Sequence, residues 1–470
     1  MEDINIAVIG LGPHAKRIYM GCFNHLKMTP KLIVDLNTKE KETMKYLQDN
    51  GILADTYFVD DNKRDLNELD ETDKEKLQET IKRLKITHAI ISTEPKAHLA
   101  YIKFFLNEKI NVLVDKQLTA PAGINNPSEL AQKLKSEYDE VKQIYDSVKN
   151  DNVKLQIQCQ RRWHKGYKFI YDEISKVVNK YKIPITTINV YHSDGMWNMP
   201  DEFLKRENHP YKYGYGKLLH SGYHFIDLIG SFERINDVLI DKKADNVDLI
   251  AMDVRPNDFL GMVNNEDYKR IFNVNKFDEI FENEEKYFFD RFGELDVYSV
   301  FQFKKQDRVI STATLNLVQN GFSRRAWTEL PVDTYKGNGR VRHEYLNIQI
   351  GPLMNVQIHS YQSKQIAERT TNKSDVGEIE HFDIYIFRNT DIIGGKSFEK
   401  YSISDFAGEE DIFLGYNEDA REKCFVEFIS DRVDENEIYS HELSMKILIN
   451  EYEALGKRMF GNEPFVNFDI

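Results

Sequence analysis

Residues 4–15 read I-N-I-A-V-I-G-L-G-P-H-A, and this stretch decides the fold. The apolar run Ile6–Ile9 passes directly into Gly10-Leu11-Gly12, and Ala15 stands where a third glycine can occur. A strand buried on both faces of a parallel sheet needs such a run, bounded by turn residues. In the turn, Gly10 permits the sharp bend and Gly12 lets the backbone approach a pyrophosphate. Ala15 lets the next helix pack close to the sheet. That helix presents N–H groups and a positive dipole end to phosphate oxygens, so Pro13 and His14 count as candidate contacts as well. A glycine-rich turn that binds nothing looks the same in isolation, so the motif needs support from the rest of the chain.

The second apolar run supplies some of it. Leu32-Ile33-Val34 ends in Asp35, which is 25 positions after Gly10. An acid at the end of the second strand accepts hydrogen bonds from both ribose hydroxyls of an adenosine and repels a 2′-phosphate, which favours NAD over NADP. Helices are expected at Lys39–Asn50, Glu71–Leu84 and His98–Leu106, with short strands at His88–Thr93 and Asn111–Val114. Repeated units of this kind predict a doubly wound parallel sheet. A long amphipathic helix over Ser128–Lys149 and a last strand over Val153–Cys159 close the region, giving a dinucleotide-binding domain over residues 1–152.

Composition bounds the rest. A chain of 470 residues exceeds one compact core, so two domains are expected. A net charge of −14 argues against nucleic acid as a partner, since phosphate binding needs a clustered basic face. Cys22, Cys159 and Cys424 are widely spaced and offer neither a disulfide framework nor a metal framework, which suits a reducing compartment. No stretch approaches the ~20 apolar residues that span a bilayer. The sequence therefore reads as a soluble, cytoplasmic protein with no membrane partner and no metal.

The second half changes character. Ile185–Tyr191, Val297–Phe303, Val309–Leu317, Tyr345–Ile350, Val356–Tyr361 and Phe382–Phe387 alternate β-branched or aromatic residues with polar ones. They predict a mostly antiparallel, open-faced sheet over residues 153–470, so the fold class is α/β plus α+β. Residues 257–296 are acidic and aromatic and read as an insertion. Glu437–Leu455 reads as a helix returning to the first domain.

Lys116 follows the strand Asn111–Val114 at the edge where ligands of α/β sheets bind. A lysine there hydrogen-bonds a substrate hydroxyl or, with a pKa lowered by burial, shuttles its proton; a surface lysine is the plainer reading. The stretch Gly214–Asp227 reads G-Y-G-K-L-L-H-S-G-Y-H-F-I-D, with His220, His224 and Asp227 on one face of an expected helix. The two histidines fit a proton donor or acceptor, a metal pair lacking an evident third ligand, or rings satisfied in a core. Arg162 suits a substrate carboxylate or a structural ion pair, and Trp197 suits substrate stacking or plain packing.

Five stretches, in order, resemble the Gfo/Idh/MocA family, the glucose-fructose oxidoreductase and inositol dehydrogenase group. They are A-V-I-G-L-G-P-H-A, the strand-end Asp35, S-T-E-P-K-A-H at Ser92–His98, V-L-V-D-K-Q-L at Val112–Leu118, and L-L-H-S-G-Y-H-F-I-D at Leu218–Asp227. The resemblance spans about the first half of the chain. It implies a Rossmann domain followed by an open-faced sheet domain, a nicotinamide cofactor, and hydride transfer at a carbinol of a sugar or cyclitol. It matches Lys116 to the catalytic lysine and His224 to the catalytic histidine. It adds Thr93, Pro95 and His98 to the cofactor contacts, and His220 and Asp227 to the substrate side. Two positions depart from the pattern. Gln117 replaces the family's proline, and His220 replaces the aspartate that partners the histidine. A second histidine lowers a neighbouring imidazole's pKa where an aspartate raises it.

The leading expectation is an NAD-dependent oxidoreductase of a sugar, cyclitol or sugar derivative, acting as a homodimer or homotetramer. Two others stand beside it: a redox glycosidase that keeps its NAD, and a cofactor-binding sensor of the same fold that has lost catalysis.

Overall fold

The computed structural model describes residues 4–121, 123–124, 126–206, 211–282, 289–325, 328–329, 339–363, 381–406, 416–430 and 437–470. The chain divides into two compact units. The first holds Met1–Ala122, Lys133–His164 and Asp411–Glu442; the second holds Gly123–Gln132, Lys165–Glu410 and Leu443–Ile470.

The first unit is built on six strands: β1 (Ile6–Ile9), β2 (Leu32–Leu36), β3 (Asp55–Val59), β4 (His88–Ile91), β5 (Asn111–Asp115) and β6 (Leu155–Gln158). Their order is β3-β2-β1-β4-β5-β6, and every pairing is parallel. All four residues of β1 are buried, as its apolar run requires. Side chains of β1, β2, β4 and β5 join Leu11, Ala15, Tyr19 and Phe23 in one core. The helix Tyr416–Phe428 completes it with Cys424, Phe425 and Phe428, and the Phe425 ring meets Phe23 edge-on at 5.5 Å. The helices expected between the strands form at Glu40–Asp49, Glu71–Leu84 and His98–Asn107. β3 is the strand that the sequence pattern did not reveal; it is an edge strand, only half-buried, with no clean alternation. The three cysteines are buried thiols.

The second unit carries a nine-stranded sheet. Its strands are β7 (Thr187–Ser193), β8 (Asn246–Val254), β9 (Asp296–Lys305), β10 (Arg308–Val318), β11 (Val341–Ile350), β12 (Met354–Ser363), β13 (Phe382–Arg388), β14 (Phe398–Ser402) and β15 (Phe465–Asp469). The order is β14-β13-β12-β11-β7-β10-β9-β8-β15, and only β7–β10 is parallel. Period-two burial along β9 and β10 shows one face packed and one face open. The outer strands β14 and β15 and the nearby β8 were not foreseen.

The residues read as an insertion form the short helices Pro256–Met262, Asn265–Phe272 and Asp278–Glu282. With Met199, Phe203 and Tyr211 they build small apolar clusters around Phe259 and Tyr268; residues 283–288 lie outside the described set. The long helix Lys165–Tyr181 also escaped the sequence reading. Among the described residues, no helix is long and apolar enough to cross a membrane.

The second unit buries carboxyl groups that burial drives toward the neutral form. Glu451 is fully buried and accepts from the Ser299 hydroxyl at 3.0 Å, and burial pushes its pKa up to about 8. Glu233 is likewise pushed up to about 8 and Glu294 to about 7. A carboxyl raised in the folded state keeps a proton that the unfolded chain releases, so its contribution falls as pH rises from the ordinary carboxylate range to the raised value. Glu451→Gln keeps a neutral side chain of the same shape. In urea unfolding, the loss of stability between about pH 5 and about pH 8 should shrink by roughly 2–4 kcal/mol in this variant.

Candidate functional site

The carboxyl edge of the first sheet gathers the glycine turn and three loops. The Gly10 N–H donates to the Val34 carbonyl at 2.7 Å, and the Ser92 N–H donates to the Ile9 carbonyl at 2.8 Å. These bonds carry the strand ladder into the turns. Gly10 has a φ of +87°, and a Cβ there would lie 2.9 Å from the Ser92 carbonyl oxygen and from Thr93 Cγ2. Glycine is therefore required on conformational and steric grounds. A Cβ on Gly12, by contrast, would meet nothing within 4 Å, so the backbone here borders open space. Gly12 caps the helix Pro13–Arg17, and no side chain occupies its cap position. Ala15 is fully buried against the sheet, as close packing demands.

Asp35 reaches back to this turn. Its Oδ2 accepts from the Leu11 N–H at 3.3 Å and from the Thr43 hydroxyl at 3.0 Å; its Oδ1 accepts from the Leu36 N–H at 2.9 Å. The structure thus brings Asp35 and the glycine turn together.

His98 ties two loops. The ring is fully buried, with Nε2 3.2 Å from the Thr93 carbonyl and Nδ1 3.1 Å from the Gln117 carbonyl. Burial pushes its pKa down, against the Asp115 charge and the carbonyls that favour the protonated ring. The Pro95 carbonyl accepts from the Ala120 N–H at 3.3 Å, a second tie between the same loops. Lys116 is half-buried, and the Lys116–Gln117 peptide bond is cis. Beside it, Gln117 Oε1 is buried without a hydrogen-bond partner among the described residues. An open cradle at Gly12, a carboxylate at the end of β2 and an unsatisfied buried acceptor beside Lys116 suit a dinucleotide.

The pattern did not reveal the partners of Asp115. Its carboxylate accepts from the Tyr19 hydroxyl at 2.5 Å and the Ser92 hydroxyl at 2.6 Å, and His14 Nε2 lies 3.6 Å away. Burial alone would raise its pKa; His14, Ser92 and Tyr19 overcome that and hold it well below the ordinary range. Arg162, also in the first unit, donates to Ser440 Oγ at 2.6 Å and to the Ser440 carbonyl at 3.0 Å. It is committed to fixing the chain near residue 440.

In the second unit, His220 and His224 are both buried. The expected regular helix is not what forms. Leu218–Gly222 is a π-helical turn, followed by the α-helix Tyr223–Glu233. The wider turn breaks the i, i+4 phase on which the single-face reading rested. Gly216 precedes it, and a Cβ there would lie 2.2 Å from the Glu294 carboxylate. That carboxylate accepts from the Leu218 N–H at 2.9 Å and the Tyr452 hydroxyl at 3.0 Å, anchoring the turn. The His220 ring lies 5.6 Å from Tyr211. Asp227 is fully buried and accepts from the Ser444 hydroxyl at 2.9 Å. Trp197 packs on Phe259 at 4.6 Å and donates to the Tyr268 hydroxyl at 3.2 Å, within the inserted helices.

Lys217 opens the same turn, and the sequence reading passed over it. It is fully buried, with Nζ 2.5 Å from Asp194, 2.9 Å from Ser221 Oγ and 3.0 Å from His192 Nδ1. Arg340 donates to the other Asp194 oxygen at 2.6 Å. Burial opposes the Asp194 charge, but Lys217, His192 and Arg340 hold its pKa well below the ordinary range. The one sequence signal was a lysine set between Gly216 and an apolar run.

No protein-family description matches the chain. No curated protein matches it in sequence. Solved structures match over its whole length. One is an aldose-aldose oxidoreductase from Caulobacter crescentus complexed with glycerol, at 13% identity and a TM-score of 0.53, covering 100% of both chains. Another is the WlbA dehydrogenase from Chromobacterium violaceum, in complex with NADH and UDP-GlcNAcA. It has 12% identity and a TM-score of 0.53, covering 100% of this chain and 97% of that one. A third is a myo-inositol dehydrogenase from Corynebacterium glutamicum, at 9% identity and a TM-score of 0.53, covering 99% and 98%. The chain has their fold. The resemblance to the Gfo/Idh/MocA group therefore holds for the architecture, a six-stranded parallel sheet and a separate, mostly antiparallel one. Among the described residues, no group of three His, Cys, Asp or Glu side chains could hold a metal ion.

Removing Asp194 strands two cations in the second unit's core. Asp194→Ala should lower stability by about 3–5 kcal/mol, read from urea unfolding at neutral pH.

Proposed function

We propose that the protein is a nicotinamide-dependent oxidoreductase acting on a carbinol of a sugar, cyclitol or sugar derivative. The observation that carries this reading is the carboxyl edge of the first sheet. The strand order reverses between β1 and β4, the position where dinucleotides bind in open α/β sheets. There the open backbone at Gly12 and the carboxylate of Asp35 face a single turn. The shared fold with the aldose-aldose oxidoreductase and the two dehydrogenases supports it.

A bound nicotinamide supplies a carbon that accepts or gives hydride. Gly10, Gly12, Pro13, His14 and Ala15 would hold the pyrophosphate, and Asp35 the adenosine ribose, which favours NAD over NADP. Thr93, Pro95 and His98 would fix the loops on either side of Lys116. Lys116 would orient the substrate hydroxyl, and His224 would take or return its proton, with His220 setting the basicity of that ring. Exposed apolar side chains on the open face of the second sheet, among them Ile250, Met252, Tyr298 and Val300, support self-association.

Calorimetry should show NAD bound by the wild type and by Lys116→Ala, and lost with Asp35→Ala. Lys116→Ala should lower kcat on a responsive sugar or cyclitol by about 100-fold or more. Wild-type kcat in Lys116→Ala would remove that residue from the mechanism. Glycoside cleavage without net NADH formation would favour the redox glycosidase, and NAD binding with no turnover on any polyol would favour the sensor.

A further inference from the structure

The glycine turn carries one ionisable side chain that points along the sheet edge. His14 is partly exposed, at 43% of its side-chain surface, and its Nε2 lies 3.6 Å from Asp115 Oδ2. Asp115 ends β5, two strands from β1 on the side opposite Asp35, which is on β2. An acid on β2 marks the adenosine half of a dinucleotide laid across the turn. With the His14 backbone at the pyrophosphate, its imidazole and Asp115 would lie on the side that receives the other nucleoside. The carboxylate is fixed by the Tyr19 and Ser92 hydroxyls and cannot swing away without leaving both unpaired.

We propose that the His14–Asp115 pair is a specificity determinant that makes the preference for oxidised over reduced nicotinamide depend on pH. The inference rests on the nicotinamide reading above. The oxidised ring carries a positive charge and the reduced ring carries none, while the pyrophosphate charge is common to both and cancels in their ratio. With His14 neutral, the Asp115 carboxylate is the uncompensated charge of the pair and favours the cationic, oxidised ring. With His14 protonated, the pair is neutral overall and that preference is lost.

Other titratable groups also surround the pair. Tyr19, on the helix Tyr19–His25, has its pKa raised well above the ordinary value by burial and by Asp115. Burial pushes His98 down. Lys116 follows Asp115 in the chain, and Arg421, on the helix Tyr416–Phe428, interacts with Asp115, Arg17 and Glu418, donating to Glu418 at 3.1 Å. Histidine is the side-chain type whose ordinary titration spans neutral pH.

The test is calorimetric titration of the full chain with NAD+ and, separately, with NADH at about pH 6, 7 and 8.5. In the wild type, Kd for NAD+ divided by Kd for NADH should rise about tenfold from the highest pH to the lowest. In His14→Gln, which keeps a neutral polar side chain at an exposed position, the ratio should stay within about twofold across the range. Asp115→Asn should raise the ratio at about pH 8.5 toward its low-pH value. A flat wild-type ratio, or an unchanged slope in His14→Gln, would overturn the proposal while leaving the nicotinamide reading intact. Failure of both nucleotides to bind at every pH would overturn both.

Discussion

A parallel sheet covered on both faces must pair every backbone N–H and C=O within itself, and the first unit depends on this constraint. The ladder does not stop at the last residue of β1. The Gly10 N–H still reaches Val34, and the Ser92 N–H still reaches Ile9. Each turn at the carboxyl edge thus starts from a fixed point. Asp35, Thr93 and Asp115 follow from neighbouring strands at set spacings, and the glycine turn fits among them only because Gly10 lacks a Cβ.

On that rigid edge, polarity is arranged in two ways. Asp35 accepts from Leu11 in the turn, from Leu36 on its own strand and from Thr43 on the helix Glu40–Asp49. Asp115 instead gathers hydroxyls and an imidazole from three separate elements. The second unit repeats the second arrangement in a drier setting. Asp194 is held by Lys217 and Arg340, and these contacts help set the π-helical turn that carries His220. A buried ion pair of this kind adds little net stability, because desolvation offsets most of the attraction, yet removing one partner is costly because it leaves the other charge buried.

The departures from the family pattern have a physical setting. At position 117, an amide whose Oε1 finds no partner among the described residues replaces a proline. At position 220, a histidine is buried near Tyr211 on a turn whose phase differs from an α-helix.

Much of the architecture was legible in the residues. The run Ile6–Ile9, the strand ending in Asp35 and the alternating strands from residue 185 onward declared themselves, because burial on one or both faces imposes a local period. The edge strands β3 and β14 lack that imprint and were missed, whereas β8 and the helix Lys165–Tyr181 carry it and were missed nonetheless. The polar networks were beyond reach altogether. Tyr19 and Asp115 are 96 residues apart, and nothing local in either stretch marks the other. The sequence by itself determined two sheets of different type and a glycine turn with an acid on the following strand. The tertiary structure alone decided which charges meet, because pairing between distant segments is set by strand order and packing and leaves no periodic trace in the chain.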